Sequence, residues 1–264
     1  MHSSPNYSDI LYSKAEGIAT ITINRPKAYN AFNANTCEEL IHAFKDADHD
    51  RSIGVVVLTG AGEKAFCTGG DQGTHDGGYG GRGVIGLPIE ELQSAIRDCN
   101  KPVLARVNGF AIGGGNVLVT LCDLAIASDN AQFGQVGPRV GSVDPGFGTA
   151  LLARVVGEKK AREMWYLCRR YTAQQALDMG LVNAVVPMAE LDSEVRKWCD
   201  EIVDKSPTAI ALAKKSFNVD TEMIRGVGSL AMHALKLYYE TPESAEGGNA
   251  FREKRKPDFR KQLK

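Results

Sequence analysis

The apolar positions of this chain change their period several times along its length. Residues 17–24 carry β-branched side chains at strand spacing, and Arg25-Pro26 ends the run. Residues 36–47 set Leu40, Ile41 and Phe44 on one stripe, which predicts an amphipathic helix. Residues 54–60 are apolar without alternation, as expected of a strand buried on both faces. Residues 102–107 and 121–127 also read as strands, with a helical stretch opening at Gly115 between them. This alternation predicts an α/β sheet covered by helices. From about Thr149 the pattern turns helical, over 150–156, 158–168, 173–179, 190–205, 208–217 and 223–239, before a basic tail. No internal repeat or low-complexity linker divides the chain. We therefore expect an α/β core over 1–200 and a helical C-terminal region over 201–264.

Composition narrows the class. The 31 Lys and Arg are balanced by 32 Asp and Glu, so the formal net charge of −1 provides no field to hold nucleic acid or an anionic membrane. With 43% apolar and 24% charged residues, the 264-residue chain has ordinary globular composition, which excludes wholesale disorder and a small disulfide scaffold. Its cysteines (Cys37, Cys67, Cys99, Cys122, Cys168 and Cys199) form no CxxC pair, and no His stands at zinc spacing from them, so no metal site is expected. The first residues lack the basic and apolar segments of a signal peptide, and no apolar run approaches the ~20 residues of a membrane span. The expectation is a reduced, cytoplasmic protein.

Two glycine-rich elbows carry the first hint of chemistry: Ala65-Phe66-Cys67-Thr68-Gly69-Gly70-Asp71-Gln72 and Asn108-Gly109-Phe110-Ala111-Ile112-Gly113-Gly114-Gly115. Each follows a strand-like run, and the second opens a helix. Glycine lets the backbone approach a ligand closely, and helix-opening amides point outward at the positive end of the helix dipole. Two such elbows can aim two N–H donors at one carbonyl oxygen, which is an oxyanion hole; either alone is more often a tight turn. The second elbow lacks GxGxxG spacing and is no nucleotide fingerprint. Between Gly69 and Gly86 lie nine glycines with Thr74-His75-Asp76 and Tyr79 among them, readable as a surface loop or as a lid over a site.

Taken together the elbows resemble those of the crotonase (enoyl-CoA hydratase/isomerase) superfamily. Asn24-Arg25-Pro26-Lys27 through Asn30-Ala31-Phe32, Phe133-Gly134-Gln135, Thr172-Ala173-Gln174-Gln175-Ala176 and Gly180-Leu181-Val182 extend the resemblance, in order, over the whole chain. It implies a spiral of ββα turns with a helical trimerisation region, an acyl-CoA thioester substrate, and a thioester enolate held by the amides of Gly70 and Gly114. It also implies a homotrimer or homohexamer. Hydratases of the superfamily carry two glutamates at positions that are Val117 and Gly137 here, so simple hydration lacks its acid/base pair.

The loop that replaces them, Gly137 to Gly146 with Ser142-Val143-Asp144, is similar to that of the 1,4-dihydroxy-2-naphthoyl-CoA synthases, which close a ring by Dieckmann condensation. The stretches 69–77 and 83–88 look closer to the 2-ketocyclohexanecarboxyl-CoA hydrolases, which open a ring by the reverse reaction in anaerobic degradation of aromatic and alicyclic acids. The synthases usually carry Lys-x-Arg after Asp-Gln, to hold an aryl carboxylate; Gly73-Thr74-His75 stands here, which suits an uncharged alicyclic ring. The resemblance then implies Asp144 as general base for water, Ser142 positioning water or the gem-diolate oxygen, and Tyr239 on the thioester oxygen or the protonated carbon, from a helix of this or a neighbouring subunit. Ser142 and Asp144 are also common turn formers, and Tyr239 a common packing residue. Gln72 and His75 are candidate substrate or lid contacts. Lys254 and, more weakly, Lys27 are candidate CoA contacts. Gly137 marks the place where related synthases hold a bicarbonate. Whether an anion binds there is not determined by the sequence, and no other cofactor is expected, coenzyme A being part of the substrate. RNA binding, known among crotonase relatives, is disfavoured by the charge balance.

Overall fold

The computed structural model describes residues 6–73 and 78–263. The chain opens with the hairpin β1 (Ile10–Ala15) and β2 (Ile18–Ile23), then α1 (Ala34–His49), whose Asn33 and Thr36 form a reciprocal N-terminal cap. There follow β3 (Val55–Gly60), β4 (Ala65–Cys67), α2 (Ile89–Asp98), β5 (Val103–Val107), β6 (Phe110–Ile112), α3 (Gly114–Leu121), β7 (Leu124–Ser128) and β8 (Gln132–Gly134). The second half runs through α4 (Gly137–Val140), a π-turn at Phe147–Leu151, α5 (Leu152–Val156), α6 (Glu158–Leu167), β9 (Tyr171–Thr172), α7 (Ala173–Asp178) and β10 (Ala184–Val186). It ends in α8 (Leu191–Val203), α9 (Pro207–Val219), α10 (Met223–Tyr239) and α11 (Pro242–Arg252).

Two sheets arise from a repeated winding. The larger has the order β1-β2-β3-β5-β7-β10 and the smaller β4-β6-β8-β9. In the successive pairs β3/β4, β5/β6 and β7/β8 the first strand joins the large sheet and the second the small one, so the chain spirals and its turns stack in parallel. Val57 pairs with Leu104, and Leu104 with Leu124. Every residue of β3 is buried, because α1 and α2 cover one face of the large sheet and α8 the other. Val55, Val57, Leu104 and Ile126 pack there on Leu191, Val195 and Cys199 of α8. The expected boundary at residue 200 therefore falls inside a helix that belongs to the sheet core.

The predicted strands and most predicted helices form within a residue or two. Residues 121–123 do not begin a strand, because Leu121 closes α3 and pairing starts at Leu124. The pattern also left β1, α2 and α11 unread. α11 carries its own start signal, Thr241 accepting from the Ser244 amide with Pro242 in the first turn. The C-terminal helices dock on their own chain. Lys214 of α9, only 5% exposed, pairs with Asp123 at 2.7 Å, and Arg225 of α10 reaches Asp98 at 2.8 Å and Ser94 at 2.7 Å on α2. Met223, Val227, Leu230 and Leu237, spaced along one side of α10, remain exposed. Among the described residues no helix is long and apolar enough to cross a membrane, and no group of three or more His, Cys, Asp and Glu could hold a metal ion.

Candidate active site

The two elbows meet at the ends of neighbouring strands of the small sheet. Gly69 (φ +86°) and Gly113 (φ +58°) take the left-handed turns that let β4 and β6 end side by side. The approach leaves no room for side chains: a Cβ on Gly69 would lie 2.8 Å from the Gly114 nitrogen, and one on Gly114 2.7 Å from the Phe32 ring. Phe32 forms a parallel bridge with Gly70, donating to the Gly69 carbonyl at 2.8 Å and accepting from the Asp71 amide at 2.9 Å. In that bridge the N–H of Gly70 itself points away from Phe32. Gly114 is the first residue of α3, so its N–H is one of the helix's unpaired donors. Neither N–H is thus taken up by the bridge or by the helix ladder.

The motif around Asn24–Phe32 is the clamp behind this arrangement. Arg25 donates to Asp71 at 2.8 Å and to the Ala31 carbonyl, while Asn30, buried, donates to Ala65 at 2.7 Å. Asn108 likewise ties the second elbow to the Gly60 and Ala65 carbonyls. These bonds brace the backbone on either side of Gly70 and Gly114.

Side chains form the opposite wall. After α4 the loop carries Ser142 and Asp144, and the Ser142 hydroxyl is 2.8 Å from that of Tyr239 at the end of α10. This Tyr239 belongs to the same chain as Ser142. Asp144 is partly buried. Its Oδ1 accepts from the Gly148 amide at 3.0 Å, its Oδ2 from Gln93 of α2 at 3.3 Å, and among the described residues no cation pairs with it. Gly148 has to be glycine, because a Cβ there would lie 2.8 Å from that of Asp144. Burial pushes the Asp144 carboxyl up to about 6, against the pull of the two N–H donors. Burial also pushes Tyr239 up to about 12, opposed by the Ser142 hydrogen bond, so the phenol is neutral and able to donate at neutral pH.

Two members of the site, Tyr79 and Gln93, went unread in the sequence. The Tyr79 hydroxyl sits against the Cα of Gly70, where it would overlap any Cβ, and hydrogen-bonds Tyr239; Gln72 donates to it at 3.4 Å. Burial raises the Tyr79 phenol far above its ordinary value. A row of hydroxyls, Ser142, Tyr239 and Tyr79, therefore runs from the Asp144 loop to the Gly70 elbow. The signal was that Tyr79 is the single aromatic in the glycine-rich stretch from Gly69 to Gly86. Gln93 was missed because α2 itself was missed, although Leu92 and Ile96 after Pro88 mark its buried face.

The other candidates fall elsewhere. Gln72 lies beside Tyr79 as described, and His75 lies outside the described residues. Lys27 is exposed on the rim of a cleft of about 410 Å³ lined also by Tyr29, Asn30 and Lys64. A second cleft of about 380 Å³ adjoins it at Tyr29 and Lys64 and reaches Gly109 and Phe110. Both sit at the starts of β4 and β6, one short strand from the elbows. Lys254 is exposed just past α11 and makes no side-chain bond among the described residues. At Gly137 a Cβ would lie 2.5 Å from the Ser142 carbonyl and 2.8 Å from the Trp165 ring, so a side chain there would require these neighbours to shift. Gln135 nearby has both side-chain amide atoms buried and without a hydrogen-bond partner among the described residues. The other hydratase position, Val117, is packed in the core at 2% exposure.

Comparison with known proteins agrees with this geometry. Residues 13–262 match the enoyl-CoA hydratase/isomerase family. An enoyl-CoA hydratase from Mycobacterium avium subsp. paratuberculosis K-10 superposes with a TM-score of 0.86 at 29% identity, over 96% of this chain and 99% of that one. Pseudomonas aeruginosa OdaA gives 0.84 at 27% identity, over 92% and 98%. An enoyl-CoA hydratase from Bacillus anthracis gives 0.73 at 31% identity, over 95% and 98%.

Proposed function

Because this chain belongs to the enoyl-CoA hydratase/isomerase family, and so is a CoA-thioester enzyme of the crotonase superfamily, we propose that its reaction is hydrolytic ring opening of a cyclic β-keto acyl-CoA. The substrate is 2-ketocyclohexanecarboxyl-CoA and the product pimeloyl-CoA. The observation that carries this reading is the pairing of two sides: the elbows of Gly70 and Gly114, and a partly buried carboxylate, Asp144, on the loop whose Ser142 begins a row of hydroxyls that reaches Gly70. A hydratase needs carboxylates at 117 and 137, and neither is present.

In the proposed sequence Asp144 takes a proton from water as the water oxygen adds to the ring ketone. Ser142 and Tyr239 hydrogen-bond the gem-diolate oxygen. The bond from that carbon to the thioester α-carbon then breaks, leaving a carboxyl group on one side and a thioester enolate on the other. The Gly70 and Gly114 amides hold the enolate oxygen, each worth about 3 kcal/mol of barrier. Protonation of the α-carbon, from Asp144 or through Tyr239, completes the net addition of one water. The acyl-CoA lies along the elbows with its nucleotide end toward the cleft beside Lys27 and Lys254 at the periphery. The exposed apolar side of α10 is covered by further copies of the chain in a homotrimer or homohexamer.

Mass spectrometry of 2-ketocyclohexanecarboxyl-CoA incubated with the protein tests this directly. The expected product gains one water, and Asp144→Asn abolishes the gain. No gain with the folded wild-type protein overturns the reading. The shared Ser-x-Asp loop makes ring closure the second reading, tested as loss of water from succinylbenzoyl-CoA.

A further inference from the structure

Asp144 depends on two N–H donors, and they differ in kind. The Gly148 amide is backbone, fixed by the π-turn that follows the loop. The other donor is a side chain on a separate element. Gln93 is 3% exposed on the apolar face of α2, beside Ile89, Leu92 and Ile96, where an unbonded amide would be costly. An ionised carboxylate only accepts, so the amino group of Gln93 must face Oδ2. The same helix is locked to the C-terminal helices by Arg97 on Thr221 at 2.7 Å and by Arg225 on Asp98 and Ser94. Those ties fix the rotation of α2 and thereby aim Gln93.

The groups facing Asp144 can be named from each side. Tyr239 comes from α10, Ser142 from its own loop, the Gly148 amide from the π-turn and Gln93 from α2. Arg97, one turn along α2, turns its guanidinium to Asn218, Thr221 and the Phe147 ring instead. Gln93 is therefore the one side-chain hydrogen bond, among the described residues, that favours the ionised carboxylate.

We propose that Gln93 is a positioning residue for the base: its amide holds the Asp144 carboxylate turned into the site, so that without it a larger share of the base is protonated at neutral pH. The catalytic meaning rests on the ring-opening reading above, but the positioning itself can be measured without substrate. An infrared titration, taken as the difference between each protein and its Asp144→Asn counterpart, follows the carboxyl of Asp144 alone. In Gln93→Met the midpoint is expected to move up by roughly one pH unit, as for loss of one hydrogen bond to a charged group. The acid limb of the pH–rate profile should move by the same amount, with the rate recovering as pH is raised. In Gln93→Glu, of nearly the same shape, the facing carboxyl should push the titration higher still and split it into two steps.

An unmoved midpoint in either folded variant, or a rate lowered equally at every pH, overturns the proposal. Should Gln93→Met fail to fold, Gln93→Glu carries the test. A shifted titration in a protein that opens no ring upholds the positioning and rejects the ring-opening reading instead.

Discussion

The two walls of the cleft are built on different principles. One is backbone: Gly70 and Gly114 present amides whose direction follows from a parallel bridge and a helix start, braced from behind by Arg25, Asn30 and Asn108. The other is side chain: Ser142, Asp144, Tyr239 and Tyr79 arrive from a loop, a helix end and the glycine-rich stretch, and lean on one another. The first wall can stabilise any thioester enolate and is indifferent to how that enolate is made. On the proposed reading, the second decides how it is made. A family can therefore keep the first and change its reaction by rebuilding the second.

The largest effect expected from breaking this contrast is at Asp144. Replacing it by Asn should lower ring opening about 10²–10⁴-fold, the usual range for a general base, while acyl-CoA binding measured by calorimetry changes little. Equal loss of binding would mean that the two walls are not separable. Next is Tyr239→Phe, which removes the hydroxyl linking the walls. Loss of one such hydrogen bond predicts about a 5- to 100-fold drop in kcat, with melting temperature close to that of the wild type.

The pH dependence follows in size. Asp144 must be ionised to act, so kcat/KM should fall as pH drops through about 6 and level off above it. The same group has an effect of opposite sense on stability. Because its proton is held more tightly in the folded chain than in the unfolded one, it favours folding as pH falls through the interval below about 6 and opposes folding above it. Asp144→Asn should therefore raise the melting temperature more at pH 8 than at pH 5, by on the order of a few degrees. A larger gain at pH 5 would show that the carboxyl is not desolvated. The smallest effect on chemistry, though not on folding, is expected at Gly137. Gly137→Ala should destabilise by about 1–3 kcal/mol in chemical denaturation, because its Cβ meets the Ser142 carbonyl and the Trp165 ring. For the same reason Gly137→Glu should not create a hydratase.

The two elbows were legible in the sequence as glycine clusters after strand-like runs, and the choice of Gly70 and Gly114 within them came from the family resemblance. Ser142, Asp144 and Tyr239 were legible through the resemblance of their loop to known ones, not through spacing. Tyr79 and Gln93 were not. One lies in a stretch where glycine erases any period, and the other on a helix whose predicted start was hidden by that stretch.

What the sequence by itself determined is the alternation of strands and helices in the core, the two elbows and the absence of carboxylates at 117 and 137, since each follows from local pattern or residue identity. What only the tertiary structure decided is which groups 50 to 160 residues apart share one site: Gln93 with Asp144, and Ser142 and Tyr79 with Tyr239. It also decided that Gly137 packs against the Ser142 carbonyl and the Trp165 ring. The reason is physical. A hydrogen bond across the spiral, or a ring filling a gap, depends on how separate elements pack, and no period within either element encodes its partner.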